Sequence, residues 1–438
     1  MLSWRRFQVF WYEWYAAGCN RAMTATGILS ITCLVASSGI SGAGLVTEPF
    51  KPVPIRLTVD QLPEPDEKES ANKRPEVVKV PEKAALEAPE GFTVEVYAEQ
   101  LPNARWLALT PDGDVLLARS KDDVILLLRD TDGDGKPDKN EPFADKSNAL
   151  HMPFGMAFAG DYFYVGNTDA VRRYAWKSGQ LKLEGEVEEI TKLPGKGYNE
   201  HWTRNVVASP DGGWLYVSVG SESNADVEES PRASILKMKP DGSERSVFAN
   251  GLRNPVGLDF HPETKELFTT VNERDKLGDG LVPDYLTRVK EGAFYGWPYA
   301  YLAPQNLDPR RMKDGKSEQP ELAAKTVTPD LLFEAHSAAL GLSFSKGEMF
   351  PEKYRDGAFV AFRGSWNRSK GTGYKIVFVP FKDGKPAGYY EDFVRGFLID
   401  PDGPKVWGRP VGVLSMPDGS LLFSEEGNGR LYRVTYQQ

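Results

Sequence analysis

The chain has only four histidines, His151, His201, His261 and His336, and His201 has unusual company. It lies in Asn199-Glu200-His201-Trp202-Thr203-Arg204-Asn205, crowded by Arg204 and Asn205. Imidazole exchanges protons near neutrality, so His201 is a candidate general base. His261 falls inside a turn and reads as structural, while His151 and His336 each precede an apolar run and compete with His201 for the role. Arginines form the second group. Arg253 and Asn254 stand in Gly251-Leu252-Arg253-Asn254-Pro255, held extended by the proline. Arg363 lies in Phe362-Arg363-Gly364-Ser365-Trp366-Asn367-Arg368, and Arg409 in Trp407-Gly408-Arg409-Pro410. A guanidinium is a rigid fork of donors suited to carboxylates, so three such loops can converge on one anion. The plain alternative for each is a surface arginine at a strand end.

A third group is acidic. The stretch from Asp130 to Glu141 places acidic residues at loop positions 1, 3, 5, 9 and 12 with glycine at 6, the pattern of an EF-hand calcium loop. Asp130, Asp132, Asp134, Lys136, Asp138 and Glu141 are the candidate ligands. A strand-like run, Val124 to Leu128, precedes them, so this is a calcium loop without its helix pair and structural in role. A solvated acidic hairpin is the competing reading, since Asp and Gly favour turns.

These groups need a scaffold, and the apolar pattern supplies one. LALTPDGDVLLA from Leu107, MAFAGDYFYV from Met156, VVASPDGGWLYVSV from Val206, VGLDFHPETKELFTTV from Val256, LGLSFSKGEMFPEKYRDGAFVAF from Leu340 and VGVLSMPDGSLLFS from Val411 are each two apolar runs around a turn. That is the hairpin signal. Six copies between Pro111 and Pro417 recur about every 61 residues, the spacing of four-stranded blades with long loops. The expected fold is all-β, a six-bladed β-propeller of four-stranded antiparallel blades. Even spacing disfavours a pair of β-sandwiches. Propellers place their chemistry at one end of the ring, where the loops before and after the inner strands gather.

Three regions follow. Residues 1–43 read as a targeting segment, with an apolar core Ile28–Val35 and a small-x-small site at Ser41-Gly42-Ala43, so the protein is expected to be exported, periplasmic or extracellular. Residues 44–90 read as a linker with eight prolines among charged residues, extended either as a tether or along the folded body. Residues 91–438 read as the propeller. Both cysteines, Cys19 and Cys33, fall in the targeting segment, which excludes a thiol nucleophile, a thiolate metal site and covalent haem from the remainder. Net charge is −9 for the chain, and 50 basic against 61 acidic residues, −11, once residues 1–43 are removed. Nucleic acid is an unsuitable partner for that balance. No apolar run reaches the roughly 18 residues of a membrane helix.

GLRNPVGLDF from Gly251, EGAFYGWP from Glu291, HSAALGLSF from His336, GSWNRS from Gly364 and GRPVGVLSMPDGSLL from Gly408 together resemble the glucose/sorbosone dehydrogenase family, nearest its sorbosone branch. The resemblance covers residues 91–438. It implies a six-bladed propeller that oxidises an aldose or sugar aldehyde with pyrroloquinoline quinone, His201 as general base and Arg253 beside it. It implies that Arg253, Asn254, Arg409 and, more loosely, Arg363 hold the cofactor, with Arg204 counted among them. It also implies an active-site calcium near the loop Asn272-Glu273-Arg274-Asp275, which departs from the family's Gln-Gly-Pro type; Glu273 and Asp275 are the candidate oxygen donors. A quinone does the hydride chemistry itself, so the protein must supply a base and cations for three carboxylates. With no haem motif, electrons must leave to a separate acceptor. Two other classes compete: a calcium-dependent propeller lactonase, and a non-catalytic sugar- or protein-binding propeller.

Overall fold

Alternating apolar residues around Pro-Asp-Gly-type turns form six antiparallel sheets in the computed structural model, which describes residues 45–195 and 201–437. Blade 1 comprises Ala104–Leu109, Val115–Arg119, Val124–Arg129 and Lys139–Ala144. Blade 2 comprises Met156–Ala159, Tyr162–Gly166, Ala170–Ala175 and Glu188–Lys192, and blade 3 Val206–Ala208, Leu215–Val219, Ser234–Met238 and Ser246–Asn250. Blade 4 comprises Pro255–Phe260, Leu267–Val271, Pro283–Arg288 and Leu331–Ala335, and blade 5 Ala339–Phe344, Gly357–Phe362, Lys375–Lys382 and Glu391–Val394. In blade 6, Pro410–Ser415, Leu421–Glu425 and Arg430–Tyr436 are completed by Phe92–Ala98 from the other end of the fold, with Phe92 opposite Tyr436. The first strand of each blade packs on the first strand of the next, and that of blade 6 on that of blade 1, so the β-propeller closes. Each hairpin expected from the sequence supplies the first two strands of one blade.

The repeated glycines explain how the inner strands approach one another. A Cβ on Gly257 would lie 2.4 Å from the Leu340 carbonyl oxygen, one on Gly341 2.5 Å from that of Val411, and one on Gly412 2.5 Å from that of Arg105. A hydroxyl on the second strand completes two of these joints. Thr270 Oγ1 accepts from Gly257 N (2.9 Å) and donates to Leu340 O (2.6 Å); Ser424 Oγ accepts from Gly412 N (2.9 Å) and donates to Arg105 O. Aromatic side chains fill the wedges between blades: Phe92 meets Phe350, Tyr354 and Phe393 edge-on at about 5 Å.

The folded body begins upstream of the expected Gly91. Val46–Phe50 pairs in parallel with Ala85–Pro89, and Glu76–Val77 with Lys405–Val406. Ala84, Leu86 and Ala88 are buried, an apolar alternation hidden among prolines and charges. Residues 45–90 therefore lie along the propeller rather than tethering it. Residues 1–43, expected to be a targeting segment, fall outside the described residues. No helix among the described residues is long and apolar enough to cross a membrane.

Candidate active site

In a meandering blade the start of the first strand and the end of the second lie at the same end. His201, Arg253, His336 and Arg409 precede first strands, while Asn272–Asp275, Arg363 and Glu426 follow second strands. All but Arg274 and Glu426 line one or both of two chambers that share His201, Arg253, Asp275 and Arg363. The inner one, about 210 Å³, is lined by His201, Arg253, Asn254, Glu273, Asp275 and Arg363 among others, and the outer one, about 580 Å³, adds Arg409.

His201 presents a fixed tautomer. Its Nδ1 lies 2.8 Å from the Ser221 carbonyl oxygen and 3.0 Å from Ser221 Oγ, whose own proton goes to Ser223 O at 2.7 Å. Both neighbours accept, so Nδ1 carries the hydrogen and Nε2 has a lone pair with no partner among the described residues. Burial first, then the Arg253 guanidinium, push its pKa well below the ordinary 6.5. The imidazole is therefore neutral at physiological pH. Gly220 makes room for it: a Cβ there would lie 2.6 Å from His201 Cβ and 2.3 Å from Asn254 Oδ1.

Arg204 does not face the chambers. Fully buried, it donates through Nη1 to the carbonyls of His201 and Thr203 (both 2.7 Å) and through Nη2 to that of Pro194 (2.8 Å). Burial lowers its pKa to about 9. Its role is to hold the backbone of His201, because the turn leaves these carbonyls without strand partners. Arg253 lines both chambers but is already engaged. It donates to Glu273 O (2.7 Å) and to Asn224 O and Oδ1 (3.1 and 3.0 Å), and pairs with Asp275 (3.3 Å). Asn254 donates to Asn272 Oδ1 at 3.3 Å, and its own Oδ1 is buried without a partner.

The densest charge lies where blades 5, 6 and 1 meet. Glu426 binds Arg105, Arg363 and Arg409, the last at 3.7 Å. Its side chain is 12% exposed. Burial alone would raise its pKa, but the three guanidiniums hold it far below the carboxylate range. One carboxylate against three guanidiniums leaves two excess positive charges. Arg105 has a buried Nε without a partner, and its guanidinium lies over Trp202 at 4.9 Å. An anion with several carboxylates suits this donor set. Arg105 and Glu426 were not singled out in the sequence. Arg105 stands six residues before Pro111, as Arg204 stands six before Pro210, so spacing alone separates neither from the other.

Glu273 and Asp275 line the inner chamber with different partners. The Glu273 carboxylate accepts Arg274 N at 3.1 Å, whereas Asp275 pairs with Arg253 and with His336 Nδ1 at 3.4 Å. His336, buried and at φ +66°, turns its Nε2 to Gly278 O at 3.0 Å. Burial opposes its protonation, but the Asp275 contact outweighs this and raises its pKa. Both its nitrogens face acceptors, which favours the protonated ring and leaves no free lone pair to take a proton from a substrate. His151 is 50% exposed beside Asp169 and lines neither chamber.

Burial pushes Glu273 up to about 8 and Asp284, which accepts Glu273 N at 2.9 Å, to about 6. A carboxyl with a raised folded-state pKa contributes stability that is complete below its ordinary 4.5 and is lost as pH rises through 8. Glu273→Gln is therefore expected to melt with the wild type at pH 4.5 and increasingly above it towards pH 9. Parallel melting curves across that range would contradict this burial.

Among the described residues, the one grouping of three or more acidic or imidazole ligands is Asp130, Asp132 and Asp134, all exposed. Asp138 and Glu141 are not part of it. Asp138 is turned onto Thr131, accepting from its N (2.8 Å) and Oγ1 (2.6 Å), and Glu141 lies on the following strand. Lys136 reaches towards Glu95 at 3.9 Å.

A family model described as TrAA12-like matches residues 86–283 and 285–437. The chain belongs to the TrAA12-like family. Among its relatives, an uncharacterised protein of Borreliella burgdorferi is 27% identical over 368 residues, covering 81% of this chain and 92% of that protein. The pyrroloquinoline quinone-dependent pyranose dehydrogenase of Coprinopsis cinerea is 26% identical over 231 residues, covering 43% of this chain and 31% of that protein. The holo PQQ domain of the Coprinopsis cinerea pyranose dehydrogenase superposes with a TM-score of 0.65 at 20% identity, covering 80% of this chain and 97% of that one. The calcium structure of the Trichoderma reesei family AA12 enzyme gives 0.67 at 18%, covering 87% and 99%. The PQQ-bound aldose sugar dehydrogenase of Streptomyces coelicolor gives 0.56 at 18%, covering 80% and 100%. Membership thus falls in the TrAA12-like family, and the sorbosone branch is not what the family model names.

Proposed function

We propose that the protein is a sugar oxidoreductase using pyrroloquinoline quinone to oxidise an aldose or a sugar aldehyde of the sorbosone kind. The observation that carries this reading is that two features border the same pair of chambers: a neutral His201 whose Nε2 has no partner among the described residues, and a guanidinium cluster with two positive charges in excess. Family membership supports it. Arg363 and Arg409, with Arg105, would hold the cofactor's carboxylates, and the unpartnered Asn254 Oδ1 marks a further polar contact. When bound, the quinone supplies a hydride acceptor. His201 Nε2 takes the proton of the substrate hydroxyl, the anomeric hydroxyl of an aldose or one hydroxyl of a hydrated aldehyde, as the carbon bearing it loses hydride, and Arg253 keeps Asp275 and the 272–275 loop in place beside it. The electrons then pass to a separate acceptor. Export to the periplasm or the exterior rests on residues 1–43.

Arg363→Ala and Arg409→Ala are each expected to weaken cofactor binding about 30–150-fold, the worth of one buried charged contact. Arg204→Lys is expected to lower the melting temperature with far less effect on that affinity. Spectroscopic titration with the quinone checks all three; unchanged binding in both Ala variants would remove these arginines from the site.

We also propose a structural calcium ion at Asp130, Asp132 and Asp134, away from the chemistry. A chelator is expected to lower the wild-type melting temperature and to leave Asp130→Ala unaffected. Equal melting with and without chelator in the wild type would make the loop a turn only.

A further inference from the structure

The proline-rich segment crosses the rim of the active site as an anchored strap. Asp66 N donates to Leu277 O (3.0 Å), Gly278 N to Ser70 Oγ (3.1 Å), and Lys73 N to Trp366 O (2.8 Å). Lys73 Nζ donates to the carbonyls of Ser369 (2.8 Å) and Asp402 (3.0 Å), and Glu76 N to Pro404 O (2.9 Å). Between the last of these anchors, Arg74 and Pro75 line the outer chamber. The proline restricts Arg74 to extended backbone, and anchors on both sides remove most of the ordering cost of presenting a long side chain there.

The charge of this chamber is one-sided. Among the described residues, Arg74, Lys121, Arg253, Arg363 and Arg409 line it against one carboxylate, Asp275, which is already shared by Arg253 and His336. Arg363 and Arg409 belong to the Glu426 cluster and suit the cofactor. Arg74 and Lys121 remain. Both are exposed, and neither has a carboxylate partner among the described residues. They come from opposite sources, the strap and the turn after the second strand of blade 1, yet line one cavity with His201.

We propose that the substrate is an anionic sugar, whose carboxylate or phosphate is held by Arg74 and Lys121 while its oxidisable hydroxyl reaches His201. This rests on the oxidoreductase reading for the reaction, but the anion site stands on the placement of Arg74 and Lys121 alone. The strap thus becomes a specificity element rather than a spacer.

The test compares D-glucose, D-glucuronate and D-glucose 6-phosphate on the cofactor-loaded protein, and D-galactose with D-galacturonate in the same way. Calorimetric titration of each sugar into cofactor-free protein is the second readout. One anionic form is expected to exceed its neutral parent about tenfold or more in kcat/KM. That ratio should shrink with added salt and fall to about one in the Arg74→Ala/Lys121→Ala variant. Glucuronate against glucose 6-phosphate tells carboxylate from phosphate. Neutral sugars turned over as well as charged ones would overturn the proposal with the oxidoreductase reading intact, and so would a ratio unmoved in the variant. A variant that loses quinone affinity instead would assign these cations to the cofactor and overturn it too. Anion binding that is lost in the variant, with no sugar oxidised, would uphold the site and overturn the reaction.

Discussion

His201→Ala lowers turnover by about 10²–10⁴-fold, the usual contribution of a positioned base, while quinone affinity stays near the wild-type value. A hydroxyl that keeps its proton as its carbon gives up hydride would leave a developing positive charge on oxygen. The chamber around it already holds Arg105, Arg253 and Arg363, so that charge is doubly unfavourable. Because burial and Arg253 keep the imidazole pKa well below 6.5, wild-type turnover should be flat through neutrality, with its acid limb displaced below the usual histidine range. The limb should vanish in the variant. His336→Gln is the informative comparison. Its ring sits between Asp275 and the Gly278 carbonyl, so it should disturb binding through Asp275 without removing the acid limb. Should His336→Gln lose the limb and His201→Ala keep it, the base is misassigned.

Glu426→Gln should lower stability by about 3–5 kcal/mol, the cost of removing one partner from a buried ionic cluster. Three guanidiniums would then repel one another with no carboxylate among them. The loss has a signature that ordinary core damage lacks: citrate, a tricarboxylate, should restore part of the melting temperature, and pyrroloquinoline quinone more. Glu99→Gln, whose carboxylate is 50% exposed beside Arg430, should cost well under 1 kcal/mol and ignore citrate. The sign with pH follows from the depressed carboxyl pKa. The cluster stabilises fully above the ordinary glutamate value of 4.5, and that contribution is lost as pH falls far below it. A Glu426→Gln protein that melts like the wild type, with or without citrate, would contradict the cluster.

The scaffold was legible because period-2 alternation and Pro-Asp-Gly-type turns are local signals. The same holds for His201, Arg253, Arg363 and Arg409, which sit in loops whose position relative to the hairpins follows from meander geometry. What escaped was long-range. Arg105 reads as one more residue of an apolar strand, and only ring closure brings it to Glu426, 321 residues away in sequence. Arg204 has the spacing of Arg105 yet turns inward, donating to the carbonyls of His201 and Thr203 beside it and of Pro194. The strap was hidden by composition: its anchors are mostly backbone groups and the lysine amine of Lys73, which have no hydrophobic period. The acidic loop shows the limit of motif spacing, since Asp138 satisfies Thr131 instead of joining Asp130, Asp132 and Asp134.

The most direct test is the absorbance spectrum of the purified protein mixed with pyrroloquinoline quinone, before and after a panel of neutral and anionic aldoses. Binding is expected to give a saturable change that is weakened in Arg363→Ala and Arg409→Ala. At least one sugar is then expected to convert the cofactor to its reduced form, about 10²–10⁴-fold more slowly in His201→Ala. A quinone spectrum unaltered by stoichiometric protein, or a quinone that binds yet stays oxidised with every sugar, would contradict the oxidoreductase reading.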